Sequence, residues 1–325
     1  IIGFSLSGVY VTAESWLNNS ATNETRGQAL SAYMLCQMIG LVLGQGMLNF
    51  GDPGGYILFI IPSVLVSLSF APILLAVAPT PAFETVKPMS LAALYTRSPT
   101  GFVGMFLLGF VFSAQFGMTA VYGSEVGLSV RDIAILVSAF FVGAIALQYP
   151  IGWLSDRMDR RRLITGVAAV AALASGLGYL FGEVFEILIL SALLAGGLAQ
   201  PLYALLIAYT NDYLDPDEMA AASGGLIFIN GLGAISGPPL VAWLMGAAGF
   251  WLFLALVLAA IALYCLYRMT VRPSAYAVEA GDYDAVPYAQ VLPTATPYAV
   301  VTAQELYAEA AEDMAEAQAD DNPPG

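Results

Sequence analysis

The 325-residue sequence contains no histidine, only two cysteines and few charged residues. Without histidine, the chain lacks the side chain that most often acts as a general base or binds a transition metal. Cys36 and Cys265 lie inside long apolar runs, which indicates small buried side chains rather than a disulfide framework or a metal site. The sequence also shows no nucleophile–base pair and no phosphate-binding loop. We therefore predict that the protein is not an enzyme and needs no cofactor.

Charge is scarce and unevenly distributed. Charged residues make up 10% of the chain and hydrophobic residues 59%, whereas a soluble domain carries about 25% charged residues. Residues 273–325 contain ten acidic and no basic residues, which leaves fourteen acidic and ten basic residues in the rest of the chain. Outside residues 152–162 there is no basic patch, so the sequence gives no support for nucleic-acid binding. The composition predicts a protein embedded in a lipid bilayer.

Long runs without any charged residue dominate the chain. They span residues 27–51, 53–83, 98–124, 133–155, 163–182, 187–211 and 219–267. A membrane-spanning helix needs about 20 such residues, and continuous rather than alternating runs favour helices over a barrel. The last run has room for two helices, separated by the "GAAG" at Gly246–Gly249. With an apolar opening segment that ends at Glu14, we predict nine transmembrane helices in an all-α, polytopic membrane protein.

Two parts of the sequence resemble each other at an offset of 193 residues. The shift lays Trp16 over Tyr209 and Gln37 over Asn230. The offset equals six predicted helices, so a six-plus-six architecture is the simplest completion. We therefore expect a longer protein in which three further helices precede residue 1.

The basic residues indicate the orientation of the predicted helices. Nine of the ten fall on one side of the membrane, and only Arg131 falls on the other. The positive-inside rule makes the richer side cytoplasmic. The nine are Arg26, Lys87, Arg97, Arg157, Arg160, Arg161, Arg162, Arg268 and Arg272. We predict a multi-pass protein of the bacterial inner membrane with a cytoplasmic C-terminal tail.

The segment "GWLSDRMDRRR", Gly152 to Arg162, concentrates six charges between two apolar runs. It resembles the loop signature G-x-L-x-D-R-x-G-R-R of the major facilitator superfamily, with Asp159 where the pattern has glycine. "ESW" at Glu14, "RGQALSAYM" at Arg26, "GQ" at Gly44 and "QYPIGWLSDR" resemble the YcaD-type group of bacterial transporters within that superfamily. The resemblance covers residues 1–272. It implies a secondary transporter that moves a small molecule by rocker-switch alternating access.

The resemblance also divides the chain. Residues 1–83 correspond to helices 4–6 of an N-terminal bundle, and residues 84–97 to the central cytoplasmic loop. Residues 98–272 correspond to a C-terminal bundle of helices 7–12. Residues 273–325 are expected to form a solvated, largely disordered acidic tail, since they have little apolar surface to bury.

The loop signature carries the candidate gating residues. The resemblance implies that Asp156 faces the N-terminus of a helix of the other bundle near Arg26, where unpaired backbone N–H groups attract a carboxylate. It also implies that Arg160 or Arg161 pairs with Asp212. Gly152 and Arg157 complete the signature. Alternatively, Asp156 merely offsets neighbouring arginines that act as topology anchors.

A few polar residues fall within the predicted spans. Glu14 either binds a coupled proton or marks the end of its helix. The amides near span centres either contact the substrate or bridge helices. They are Gln37, Gln115, Gln200 and Asn230. The resemblance places the seventh and tenth helices, with Gln115 and Gln200, on the transport cavity, and the absence of a fixed charge disfavours a highly charged substrate.

A second function class is a membrane sensor or assembly protein that uses a transporter-like fold without substrate flux. Such a protein would need a signalling domain or a partner-binding loop, and here the loops are short and only the tail could serve. The expected partners are therefore the lipid bilayer and a small-molecule substrate, with or without a proton. We expect the protein to be a monomer.

Overall fold

The computed structural model describes most of the C-terminal two thirds of the transmembrane region and parts of the first third. The described residues are 9, 13, 33, 36, 37, 39–48, 51, 55–75, 89–155, 157–214, 216–245 and 249–271. Within these ranges the regular structure is helical, without a β-strand. The fold class predicted from the apolar runs, an all-α membrane protein, is confirmed.

Nine α-helices and one π-helical turn follow one another along the main described segments, in addition to a helical stretch at residues 39–47. They are α1 (Ile57–Leu75), α2 (Leu91–Arg97), α3 (Pro99–Ser113), the π-turn (Ala114–Met118), α4 (Thr119–Glu125), α5 (Val130–Ser155), α6 (Arg160–Leu180), α7 (Phe185–Asn211), α8 (Pro216–Met245) and α9 (Phe250–Val271). The π-turn joins α3 and α4 into one rod, Pro99–Glu125, which we call the α3–α4 rod.

Six of the described elements are long and apolar enough to cross a membrane. These are the α3–α4 rod and helices α5 to α9, with Ala221–Met245 as the membrane-length part of α8. They match the last six predicted spans, and Gly249, in a left-handed conformation with φ of 86°, ends the predicted break between the last two. In α1 a shorter apolar stretch, Ile57–Ser69, falls within the predicted 53–83 span.

One helix, α6, begins earlier in the structure than the sequence predicted. The cluster Arg160, Arg161 and Arg162 was assigned to a loop but forms the first turn of α6. Asp159 causes this, since its side chain caps the helix by accepting a hydrogen bond from the backbone N–H of Arg161. The short helix α2, within the expected central loop, was likewise not predicted.

The six long elements pack as pairs, mainly α5 with α7, the α3–α4 rod with α8, and α6 with α9. Glycine allows the closest of these approaches. A Cβ atom at Gly143 of α5 would overlap the backbone carbonyl of Leu193 in α7, and one at Gly233 of α8 would overlap the backbone of Phe106. Small residues at such crossings let apolar helices gain packing energy in a lipid environment, where the hydrophobic effect does not drive their association.

Helix α7 lies at the centre of the described bundle, against α5, α6 and the α3–α4 rod. Every residue from 195 to 211 is buried, whereas the first turns of the helix are partly exposed. The C-terminal half of α7 is therefore closed off from solvent. That half ends at the same end of the bundle as the charged loop segment.

Candidate functional site

The charged loop segment lies at one end of the bundle, which we call the motif end. Helix α5 ends at Ser155 and α6 begins at Arg160, so the turn between them is very short. Asp159 has φ of −53° and ψ of 115°, a backbone conformation open to any residue. The turn therefore does not require the glycine of the family pattern. The aspartate contributes a helix cap that glycine would not.

Arg160 makes the main contact of the motif end. Its guanidinium forms an ion pair with the carboxylate of Asp212, which follows the last residue of α7. Both side chains are buried, with exposed fractions of 3% and 6%. Arg160 also donates hydrogen bonds to Ser155 Oγ at 3.3 Å and to the carbonyl of Ala208 at 3.5 Å. One arginine thus joins the end of α5, the start of α6 and the end of α7.

Arg161, the other candidate partner of Asp212, pairs locally with Asp159. Its Nη2 lies 3.1 Å from Asp159 Oδ2, and its Nε donates to Oδ1 at 3.3 Å. Of the two candidate arginines, Arg160 makes the ion pair with Asp212 described above.

Arg157 folds back onto the helix that precedes it. Its guanidinium carbon lies 4.1 Å from the centroid of the half-exposed Trp153 ring, and Nη1 donates to the Trp153 carbonyl at 3.1 Å. It thereby binds one of the last carbonyls of α5 and covers an aromatic ring. Gly152 is buried on α5, and Arg162 is exposed on α6.

Two further contacts cross the motif end from the α3–α4 rod. Arg97, just before the rod, lies 3.3 Å from Glu218 of α8, and the two side chains are 50% and 30% exposed. Ser98 Oγ and Thr210 Oγ1 are hydrogen-bonded at 3.1 Å and are buried between the rod and α7. Together with Arg160, these contacts join α5, α6, α7, α8 and the start of the rod at this end, and Cys265 Sγ of α9 donates to the Arg161 carbonyl at 3.5 Å.

Gln115 lies in the π-turn and is fully buried, and neither atom of its amide has a hydrogen-bond partner in the described structure. Gln200, on α7 immediately before Pro201, is also buried, and its Oε1 has no such partner. Unsatisfied buried polar groups are rare in folded proteins, so these two amides need an explanation. They remain candidates for contact with a substrate.

Asn230 has a structural use. Its Nδ2 donates to the carbonyl of Met105 at 2.9 Å and joins α8 to the α3–α4 rod. This is the bridging alternative for a mid-span amide. Gln37 lies in a helical, partly buried position, and it too interacts with other residues.

Three predicted site residues fall outside the described part of the chain. They are Glu14, Arg26 and Asp156. The acidic tail, residues 273–325, also lies outside it. The roles assigned to these residues stay predictions.

Sequence reasoning missed the π-turn and the aromatic rings beside it. The ring of Phe116 stacks on Phe141 of α5 with centroids 5.3 Å apart and planes at 7°, and on Phe112 with centroids 5.7 Å apart and planes at 15°. We call Phe112, Phe116 and Phe141 the aromatic step. Phenylalanine is common in membrane helices, so spacing alone gave no signal for this arrangement.

A shallow apolar crevice of about 330 Å³ lies where the helical stretch at 39–47 meets the bundle. It is lined by Gly46 together with residues of α5 and α7, which are Ala134, Ile135, Ser138, Ala139, Val142, Ile189 and Leu193. No group of three or more metal-ligating side chains occurs among the residues with described positions.

Comparison with known proteins gives a consistent result. The family model described as Major Facilitator Superfamily matches residues 101–295. The uncharacterized MFS-type transporter YfkF of Bacillus subtilis is 27% identical over 277 residues, which are 80% of this chain and 68% of the relative. An uncharacterized MFS-type transporter of Yersinia pestis is 27% identical over 302 residues, 90% of this chain and 73% of the relative. YcaD of Escherichia fergusonii, also named an uncharacterized MFS-type transporter, is 26% identical over 254 residues, which are 75% of this chain and 64% of the relative. No solved structure matches the chain significantly.

Proposed function

The chain belongs to the major facilitator superfamily, and from this premise we propose that it is a secondary active transporter that moves a small molecule by alternating access. The protein is a multi-pass membrane transporter. Members of the superfamily are transporters and not enzymes, so the prediction that the chain is not an enzyme is confirmed.

The observation that carries the proposal is the buried ion pair between Arg160 of the loop motif and Asp212 at the end of α7. Alternating access by a rocker switch requires a bundle that moves as one body. A buried pair resists separation, because removing either partner would strand a charge in a low-dielectric environment. The pair therefore holds α5, α6 and α7 together while the bundle changes its position.

The moving body in this proposal is the C-terminal bundle of residues 98–272, and the opposing body includes residues 1–83. The C-terminal half of α7, residues 195–211, is buried and forms the centre of this body, against α5, α6 and the α3–α4 rod. The crevice beside Gly46 is lined almost entirely by apolar groups. Apolar contacts are not directional, so such a surface suits two bodies that shift against each other.

Asp156 is the proposed gate. In the sequence it follows Ser155, the last residue of α5, and precedes Arg160, the first residue of α6, by four positions. A carboxylate facing a helix N-terminus of the opposing body near Arg26 would favour the closed state by about 0.3–2 kcal/mol. This energy is small enough for the gate to open during each cycle.

The remaining assignments complete the proposal. The motif end and the acidic tail, residues 273–325, are cytoplasmic, and the protein is a monomer of the bacterial inner membrane. Gln115 and Gln200 contact the substrate, with Gln37 as a further candidate. Glu14 carries a coupled proton.

The proposal is tested by measuring distances between pairs of spin labels in the purified protein in lipid nanodiscs. Cysteines at the exposed residues Tyr56 and Val126 report on the two bodies at the end opposite the motif. A second pair at Val126 and Phe181 lies within the C-terminal bundle and serves as the matched control. Alternating access predicts two populated distances for the first pair and one for the second. A single Tyr56–Val126 distance, or equal heterogeneity in both pairs, would contradict rigid-body rocking.

A further inference from the structure

Gln115 is the most unusual polar side chain in the described structure. It is fully buried, and both ends of its amide lack a partner in the described structure. Its position in a π-turn is also informative, because such turns occur frequently at functional sites. The hydroxyl of Thr119 donates to the Gln115 carbonyl at 2.7 Å, so the turn itself is hydrogen-bonded while the side-chain amide is not. The orphaned group is therefore the amide, which is suited to a ligand that both donates and accepts.

The next residue along the chain presents an aromatic ring. Phe116 is 43% exposed although it stacks on both other rings of the aromatic step. Beside it, a side chain added at Gly117 would meet open space. Part of the Phe116 side chain is thus accessible, one residue along the chain from the enclosed amide of Gln115.

Helix α7 brings the second orphaned amide towards the same place. Tyr203 of α7 contacts Phe112 of the step, with ring centroids 5.9 Å apart. Gln200 precedes Tyr203 by three residues, and residues three apart lie on the same side of a helix. The aromatic step, Gln115 and Gln200 therefore belong to one region between the α3–α4 rod, α5 and α7.

The three described helices of this region supply no counter-ion for a charged ligand. The sequence contains no charged residue in 98–124, 133–155 or 187–211, the segments that form the α3–α4 rod, α5 and α7 within the membrane. Moving an ion into such surroundings is costly unless an opposite charge accompanies it. Amide groups, by contrast, hydrogen-bond well to a neutral molecule.

We infer that the substrate is an uncharged molecule with a flat ring system and at least one hydrogen-bond donor and one acceptor. Its ring lies against Phe116, and its polar groups bind the amides of Gln115 and Gln200. Because Gln115 is enclosed, binding requires the α3–α4 rod to yield at the π-turn. The inference rests on the proposed transport function and specifies its substrate class.

The test uses matched pairs of probes that share a ring and differ in charge. Riboflavin is compared with flavin mononucleotide, adenosine with adenosine monophosphate, and 7-amino-4-methylcoumarin with 7-amino-4-methylcoumarin-3-acetate. Binding to the full chain in nanodiscs is followed by quenching of probe or tryptophan fluorescence. At least one uncharged probe is expected to bind saturably and at least tenfold more tightly than its charged partner.

Variants then test the assigned residues. Phe116→Leu keeps an apolar side chain of similar size but removes the ring, and Gln115→Leu removes the amide. Each is expected to weaken binding of the uncharged probe by about two- to twelvefold, the range for one aromatic contact or one hydrogen bond. Phe106→Leu is the matched control, because Phe106 lies on the same rod in a separate ring pair with Phe110, and it should leave binding unchanged.

Three results would overturn the substrate class. They are equal binding of charged and uncharged partners, full competition by the ringless alcohol ribitol, and no binding by any uncharged probe. The spin-label distances use no ligand, so two Tyr56–Val126 distances together with any of these results would reject the substrate class and leave alternating access in place. A single distance together with selective probe binding would reject alternating access instead.

Discussion

Separating Arg160 from Asp212 is expected to destabilise the protein more than any other change to a charged pair at the motif end. The two side chains are 3% and 6% exposed, so either charge left alone would be poorly solvated. Breaking a buried pair by removing one partner costs about 3–5 kcal/mol. Arg160 would keep Ser155 Oγ and the Ala208 carbonyl as acceptors. We therefore expect Asp212→Asn to destabilise the protein by about 3 kcal/mol, the lower end of this range.

The exposed pair Arg97–Glu218 provides the matched control. It also joins two helices at the same end of the bundle, but its side chains are 50% and 30% exposed. Exposed pairs contribute about 0–1 kcal/mol. Glu218→Gln should therefore change stability by less than a third of the effect of Asp212→Asn.

A double-mutant cycle measures the coupling directly. Unfolding of purified Arg160→Met, Asp212→Leu and the double variant is compared with that of the wild type in the same detergent. Because apolar replacement of a whole buried pair is often neutral, the double variant should be more stable than either single variant. If the effects of the two single changes simply add, the pair is not coupled and the reasoning from burial is refuted.

Three further predictions follow from the same contacts. In a cysteine-free background, a cysteine introduced at Val126 should react with an impermeant reagent in intact cells, whereas one introduced at Arg162 should react only after permeabilisation. Equal labelling of the two cysteines in intact cells would refute the assigned orientation. Gln115→Leu should raise the stability of the protein in thermal unfolding, because it removes unsatisfied polar atoms. Asn230→Leu should lower that stability by about 0.5–1.5 kcal/mol through loss of a helix-bridging hydrogen bond. If both variants raised or both lowered the stability, these assignments would be contradicted. Asp159→Ala should destabilise by about 0.5–2 kcal/mol through loss of the α6 cap, as seen in thermal unfolding, and no change would show that the cap contributes nothing.

The ends of the long helices were predictable because charge is so scarce. A charged residue is costly in the hydrocarbon layer, so the uncharged runs end close to where the helices end. The runs ending at Ser155 and Asn211 agree with α5 and α7 to the residue. The start of α6 was misjudged because arginines at its first turn can reach polar surroundings, which hydropathy alone does not reveal.

The partners within the site could be predicted only in part. That an arginine of the motif would reach Asp212 followed from the family resemblance, but two neighbouring arginines are equivalent until the helix phase is known. The π-turn at Ala114–Met118 was not predictable, because its sequence differs in no obvious way from the rest of its span. The stacking of Phe116 on Phe141 depends on how two helices cross, which a one-dimensional pattern does not contain.

The most direct test of the account asks whether Asp156 holds the motif end closed. In a background without Cys36 and Cys265, a single cysteine is placed at Gly27, next to Arg26, where the proposal sets the helix N-terminus opposite Asp156. Its reaction with an impermeant thiol reagent is followed in inside-out vesicles. Loss of about 0.3–2 kcal/mol of preference for the closed state in Asp156→Asn should raise this reaction rate by about 1.6- to 30-fold at normal expression. Arg162→Ala, a change of charge in the same segment, should leave the rates unchanged. Equal rates in Asp156→Asn and wild type would contradict the gate and leave the charged segment only as an anchor of topology.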